Sequence, residues 1–517
     1  MFEGGAQDID KNLINDISSK DSQLNNNHEE SISKKEDKNL KDNNNIQSNN
    51  GNDGLLGFES IEIPNEEDFN DFNDFRVIYS TENKASKDNA KSNKSFKGKY
   101  DIMNLMIIKK DNKTKSKMPN IKSFFSEMLY HKIITKDKFG METFKSPCYI
   151  YDSNIKEILG DLNINDTNNF FLYMSYRSGF ENLKNIGCGN YTSDCGWGCM
   201  MRCCQMMLSR GIIKKELSNL YNKKEVINST DLKQLKKDVL YLFKDKYIPL
   251  EELENNIFLS DIYKKYQKNH DSYEVIPPYS IYILCKLGQC SGVYTSDMKM
   301  IKCFMEINEQ IFNNSLGIAY FEGGIIFKKK LLEIFCTKRD ISNNKEDSKN
   351  VIITSLTKKK EVSDVGKGID QNESIGAENI FEYYGEEHIF NKGGVIFVSL
   401  RLGLRDLDES YYNFIPLLFQ KMHNNIGFVS GKKNKAFYFI GFNGDNKLIY
   451  ADPHLNQKIE DNDITSYEIK DLYLLNVKEL SSGITLGISI NNSNDFKTLA
   501  YDLDWFYKNY PSIITFK

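Results

Sequence analysis

No apolar run in these 517 residues approaches the roughly 18 that a membrane-crossing helix needs. The opening Met1-Phe2-Glu3-Gly4-Gly5 also lacks the basic-then-apolar pattern of a secretory signal. These two absences predict a soluble, cytoplasmic protein. An excess of charge of one sign is missing as well: 68 Lys and Arg against 72 Asp and Glu leave a formal −4. That balance makes no electrostatic case for nucleic acid, and runs such as Lys328-Lys329-Lys330 and Lys358-Lys359-Lys360 read as solvated charge. Aliphatic residues are scarce before Leu55, where Asn, Lys, Asp, Glu and Ser dominate. Such a stretch cannot bury enough apolar area to offset the entropy of ordering it. Histidine is scarce throughout, with six in the chain, so the search for an imidazole base is short.

These shifts predict a disordered polar tail over 1–117, one globular domain over 118–510 and a C-terminal tail over 511–517. Within the domain, residues 337–391 lapse into polar, charged sequence and are expected to form a low-complexity insert. A structureless connection of that length inside a domain is unusual, so it is read as disordered or functional. Gly394-Val395-Ile396-Phe397-Val398-Ser399-Leu400 suits a buried strand. Apolar residues at helical intervals predict a helix over Asp406 to Met422. Phe437 to Phe442 and Lys447 to Ala451 flank Asn443-Gly444-Asp445-Asn446, a hairpin signal. Strands following helical segments predict an α+β fold.

Ten cysteines in a long chain without a secretory signal point to metal binding, redox chemistry or a nucleophile rather than a disulfide framework. The run Asp194-Cys195-Gly196-Trp197-Gly198-Cys199 permits a tight turn directly before Cys199. Helix-compatible residues follow, so Cys199 is expected at a helix N-terminus. Unpaired N–H groups and the dipole stabilise a thiolate there, and an amide at the same terminus can hold an oxyanion. Cys203 and Cys204, inside the helix, read as small buried hydrophobes. Cys195 reads as a surface or half-buried cysteine.

A thiol nucleophile needs an imidazole to take its proton and a polar group to hold that ring's tautomer. Asp452-Pro453-His454 follows the second strand of the hairpin and can offer both, although a His near a strand end is by itself more often a surface or capping residue. The other histidines compete poorly. His28 and His388 fall in expected disorder, His270 lies in a polar loop, and His131 and His423 lie on helical segments without a carboxylate at fixed spacing. A zinc site built on Cys195, Cys199 and the Cys285/Cys290 pair stays open as an alternative.

Four ordered blocks then carry a resemblance. Thr192-Ser193-Asp194-Cys195-Gly196-Trp197-Gly198-Cys199-Met200-Met201-Arg202-Cys203-Cys204-Gln205 resembles the nucleophile segment of the autophagins, papain-like cysteine proteases that process ubiquitin-like autophagy modifiers. Leu400 to Leu404 followed by Gly427 to Lys432, Ala436 to Phe442, and Tyr450 to Gln457 resemble the same family in the same order. The resemblance covers about 120–336 and 392–510. It implies a papain-like α+β fold, with the nucleophile at a helix N-terminus and the His/Asp pair on an antiparallel sheet. Cys199 becomes the nucleophile, His454 the general base and Asp452 its orienting partner.

The resemblance also implies that Tyr176 helps line the oxyanion hole, where the residue alone reads equally as a packed aromatic. It implies an endopeptidase that cuts after the C-terminal glycine of a GABARAP-like modifier, maturing its precursor and releasing it from phosphatidylethanolamine. Neither a cofactor nor a metal is implied, and contact with autophagic membranes would be peripheral. A catalytically idle modifier-binding protein is the alternative of another class. Phe75-Arg76-Val77-Ile78 looks like the short peptides that dock on such modifiers, with Phe75 and Ile78 as its anchors. One departure stands out: Cys290 occupies the position where the family usually carries a tryptophan over the active site.

Overall fold

A computed structural model of the protein describes residues 100–109, 143–144, 171–224, 227–338, 388–432, 434–443, 446–459 and 464–517. All of these belong to the unit Asn93–Lys517. Its centre is an eight-stranded sheet. In chain order the strands are β1 (Thr143–Phe144), β2 (Gly317–Phe321), β3 (Gly394–Asp406), β4 (Asn425–Lys432), β5 (Lys435–Phe442), β6 (Lys447–Ala451), β7 (Leu472–Asn476) and β8 (Ser481–Ile490). Their spatial order is β1-β7-β6-β5-β4-β8-β3-β2. Every pairing is antiparallel except that of β3 with β2.

Both faces of this sheet are covered, which explains why its strands read as almost continuous apolar runs. Strand residues alternate between two cores, as a side-chain period of two requires. On one face Val395, Phe397, Ala436, Tyr438, Ile440, Ile449 and Ala451 pack with the buried helix α1 (Cys199–Lys224). α2 (Ile281–Gly288) and α3 (Asp297–Phe312) join the same core. On the other face Ile396, Val398, Leu400, Phe437, Phe439, Leu448 and Tyr450 pack with α4 (Phe414–Gln420) and α5 (Ser493–Asn509). The first ten residues of α1 after Met200 are all buried, so this helix is enclosed on every side.

Several expected boundaries shift. Residues 102–109 were assigned to the polar tail, yet Ile102–Met106 form a helix with Ile102 and Met106 in the core. Ile107–Lys109 continue as a strand paired antiparallel with Tyr273–Val275. An apolar cluster of six residues outweighs its polar surroundings here. The borders of the 337–391 insert are ordered too, since Cys336–Lys338 pair antiparallel with His388–Phe390. His388 therefore lies in a strand rather than in disorder, and residues 339–387 lie outside the described set. At the C-terminus, Ile513 and Ile514 are buried and Thr515–Phe516 pair in parallel with Ile325–Ile326, so 511–517 is not a tail. The helix expected over Asp406 to Met422 is shorter. β3 runs to Asp406 and a turn of 3₁₀ helix over Glu409–Tyr411 precedes α4.

Gly394 and Gly317 face each other across the β3–β2 pair. A Cβ on Gly394 would lie 1.8 Å from the Gly317 carbonyl oxygen. Gly394→Ala is therefore expected to cost roughly 1–3 kcal/mol by forcing the strands apart. Gly483→Ala, where a Cβ meets nothing within 4 Å, should stay within about 0.5 kcal/mol of the parent. Equal denaturant midpoints for the two variants would contradict this reading of the sheet.

Candidate active site

Cys199 is the first residue of α1, and the turn before it is built around Asp194. The Asp194 carbonyl accepts the N–H groups of Trp197 (3.2 Å) and Gly198 (2.9 Å), and Gly196 adopts φ +86°. Only glycine fits at 198, because a Cβ there would meet an Asp194 carboxylate oxygen at 2.2 Å. That carboxylate accepts the Arg177 N–H at 2.6 Å and the Arg202 Nε–H at 2.7 Å. Arg202, one turn into α1, also pairs with Asp245 at 2.6 Å, and Asp245 in turn accepts the first N–H of α2 at 2.8 Å. A buried carboxylate–guanidinium–carboxylate bridge thus fixes the turn before Cys199 to the helix behind it.

His454 arrives from the other half of the chain, three residues past the end of β6. Its Nδ1 lies 2.5 Å from Asp452 Oδ1, which also accepts the His454 backbone N–H at 2.9 Å. That leaves Nε2 for Cys199, whose thiol is hydrogen-bonded to the imidazole. Tyr176 and Phe437 meet the ring edge-on, with centroids at 5.4 and 5.3 Å. The segment Tyr173–Ser178 joins the two halves. On one side Asp194 N–H donates to the Arg177 carbonyl. On the other, Tyr176 N–H donates to the Pro453 carbonyl at 2.8 Å and Gln457 N–H to the Tyr176 carbonyl at 2.9 Å. The Tyr173 hydroxyl donates to the Asp452 carbonyl at 2.5 Å. Cys199, His454, Asp452 and Tyr176, far apart in the chain, therefore meet at one place.

The catalytic-domain model of peptidase family C54 matches residues 163–502. The chain belongs to that family. C54 peptidases are cysteine proteases of papain-like fold, and this α+β chain is one of them. Similar proteins include cysteine protease ATG4B of Gallus gallus, 23% identical over 345 residues, covering 64% of this chain and 73% of that one. Cysteine protease ATG4A of Pongo abelii is 25% identical over 335 residues, covering 63% and 70%. Cysteine protease ATG4 of Candida albicans is 24% identical over 332 residues, covering 63% and 56%.

The electrostatics of this C54 site favour charge separation. Burial alone would raise the Cys199 thiol, but the His454 hydrogen bond and charge, the Ala436 N–H and the Tyr176 side chain bring it below the ordinary value. Burial likewise opposes protonation of His454, yet Asp452 and Cys199 raise its pKa to about 9. Asp452 is also desolvated, and the imidazolium beside it still holds its carboxyl below the usual range. Both directions favour the charge-separated pair, a thiolate facing an imidazolium, over the neutral one.

Other expectations meet mixed outcomes. Cys203 and Cys204 are fully buried and burial pushes their thiols far up, as packing cysteines should be. Cys195 is buried rather than at the surface, because the turn folds it inward. Among the described residues, no group of three or more His, Cys, Asp or Glu is arranged to hold a metal, and no helix is long and apolar enough to cross a membrane. Phe75 and Ile78 lie outside the described residues. His423 does gain a carboxylate: its Nδ1 lies 2.8 Å from Asp502 of α5. That pair sits on the sheet face opposite Cys199, and no spacing rule could join residues from two elements. Asp194, Asp245, Tyr173 and Phe437 went unnoticed in the sequence. Only Asp194, adjacent to the glycine turn, carried a local signal.

Arg202→Met should cost about 3–5 kcal/mol, because it strands two buried carboxylates without their cation. Chemical denaturation checks this, and a change under about 1 kcal/mol would mean that the bridge does not hold the turn.

Proposed function

We propose that Cys199 is the nucleophile of a protease in the autophagy pathway, with His454 as general acid–base and Asp452 as its orienting partner. The enzyme cuts after the C-terminal glycine of a GABARAP-like ubiquitin-like modifier. The observation that carries this reading is the Cys199–His454–Asp452 relay, with its thiol lowered and its imidazole raised. The ATG4 cysteine proteases that the chain matches support the choice of pathway.

In the first step the thiolate attacks the glycine carbonyl, and the negative charge moves to its oxygen. Tyr176, whose side chain is hydrogen-bonded to the sulfur, and the amides at the start of α1 are the groups assigned here to receive that charge. The imidazolium then gives its proton to the leaving amine, and a thioester remains on Cys199. Water, deprotonated by His454, releases the glycine carboxylate and restores the thiolate. A precursor peptide and a phosphatidylethanolamine conjugate both join the glycine through an amide. One site can therefore mature the precursor and delipidate the conjugate, with only the leaving amine changed. The second substrate requires peripheral contact with an autophagic membrane. The N-terminal Phe75-Arg76-Val77-Ile78 is proposed as an additional modifier-docking segment.

Mass measurement of a modifier precursor and of its lipid conjugate after incubation tests the reading. Cys199→Ala is expected to lower cleavage by roughly 10³-fold or more while binding persists, and Asp452→Asn by roughly 10²–10⁴-fold. Full cleavage by Cys199→Ala would overturn the assignment. The pH dependence follows from the direction of each shift. Activity should rise as the lowered Cys199 thiol loses its proton. It should then fall above about pH 9, as His454 loses the proton owed to the leaving amine. A kcat/KM profile still rising beyond pH 10 or so would contradict the thiolate–imidazolium form.

A further inference from the structure

The turn Asp452-Pro453-His454 begins where β6 stops at Ala451. The Asp452 and Pro453 carbonyls therefore lie beyond the strand ladder and need donors from elsewhere. The segment Tyr173–Tyr176 supplies both. The Tyr176 N–H donates to the Pro453 carbonyl at 2.8 Å, and the Tyr173 hydroxyl donates to the Asp452 carbonyl at 2.5 Å. Among the described residues that hydroxyl is the one donor to the Asp452 carbonyl. One rung of this two-rung tether is backbone, and the other is a side chain.

A tether positions its load only if its own base is fixed. Tyr173 is buried, and its N–H donates to the Tyr467 carbonyl at 2.7 Å. The preceding Leu172 N–H donates at 3.2 Å to the Ser209 hydroxyl, which lies on α1, the helix that begins at Cys199. Phe171 packs edge-on against Tyr438 of β5, with ring centroids 5.4 Å apart. The base of the tether is thus fastened to the same helix that carries the thiol.

We propose that Tyr173 is a positioning residue: its hydroxyl holds the Asp452 backbone so that the Asp452 carboxylate stays aligned with the His454 ring. Asp452 Oδ1 accepts the His454 backbone N–H at 2.9 Å and lies 2.5 Å from Nδ1, so rotation of the turn would disturb both contacts together. The titratable groups that face Asp452 are His454 of the same turn, Cys203 of α1, Lys435 of β5, Tyr450 of β6, Tyr473 of β7 and Tyr173 itself. Of these, Tyr173 alone bonds the Asp452 carbonyl. Its part in cleavage rests on the function proposed above, whereas its hold on Asp452 does not.

Tyr173→Phe deletes the hydroxyl and keeps the ring. Tyr241→Phe is the control, since it removes a tyrosine hydroxyl bond of 2.8 Å to Glu252, outside the site. The rate of Cys199 alkylation by iodoacetamide against pH, read by peptide mass spectrometry, follows thiolate formation without any protein substrate. A loosened turn holds the imidazolium less well, and the thiolate with it. The midpoint in Tyr173→Phe is therefore expected to rise by roughly half a unit to one unit, the size that loss of one hydrogen bond supports. In cleavage of a modifier precursor, kcat should fall roughly 3- to 10-fold while KM stays within about twofold. Tyr241→Phe is expected to keep the parent midpoint, even where thermal melts show a similar loss of stability in both variants. A Tyr173→Phe midpoint within about 0.2 unit of the parent, an equal rise in both variants, or a raised KM with kcat unchanged would overturn the proposal. If the midpoint rises in Tyr173→Phe alone and the parent cleaves no precursor, the substrate assignment fails and the positioning stands.

Discussion

A buried thiol drawn toward ionisation is the constraint on which the proposed site depends: Cys199 is almost fully enclosed, yet its pKa lies below the ordinary value. Removing an ion from water is expensive, and the site repays that cost only by a cation and donors held at fixed positions. His454 supplies the cation, and the Ala436 N–H and the Tyr176 side chain supply further hydrogen bonds. Asp452 then keeps the imidazole charged and turned, through a bond to Nδ1 and another to the backbone of the same residue. Each group is ordinary in isolation. Their effect comes from burial, which strengthens every charge interaction in the set.

Holding such a set requires two loops, from opposite ends of the domain, to stay in register. Helix α1 cannot slide, because it is enclosed by the sheet, and Gly487 of β8 approaches Met207 so closely that a Cβ would stand 2.7 Å from its sulfur. The turn before Cys199 is bound to α2 through Asp194, Arg202 and Asp245. The Asp452–His454 turn follows β6 and is tied by Tyr173–Ser178 back to that same turn before Cys199. The segment Tyr173–Ser178 buries Tyr173, Met174 and Tyr176 in the core while its backbone hydrogen-bonds to both partners. Strands β5 and β6 complete the frame, since alternation along β5 turns Ala436 toward one core and Phe437 toward the other.

Much of this was readable in the chain, and the reasons are physical. The glycine turn before Cys199 and the Asp-Pro-His turn are local, so composition and spacing reveal them. The hairpin of β5 and β6 and the buried run in β3 are local as well. What stayed hidden depends on distant partners. Asp245 owes its role to Arg202, forty-three positions earlier by residue number, and Tyr173 meets Asp452 only after the sheet has formed. The His423–Asp502 pair shows the same limit, since a helix end and a separate helix bring it together. Ordered segments within polar surroundings, such as Ile102–Met106 and Ile513–Ile514, were missed because a few apolar residues suffice once a core exists to receive them.

The central claim is the charge state of one sulfur, and it can be titrated directly. Thiolate absorbs in the ultraviolet where the thiol does not, so the difference spectrum of the parent minus Cys199→Ser follows this residue alone across pH. A thiolate is expected to form below the ordinary cysteine value of about 8.5. The same titration with His454→Gln in both backgrounds should move back to or above that value. A Cys199 thiol that ionises only at 8.5 or higher in the parent protein would contradict it.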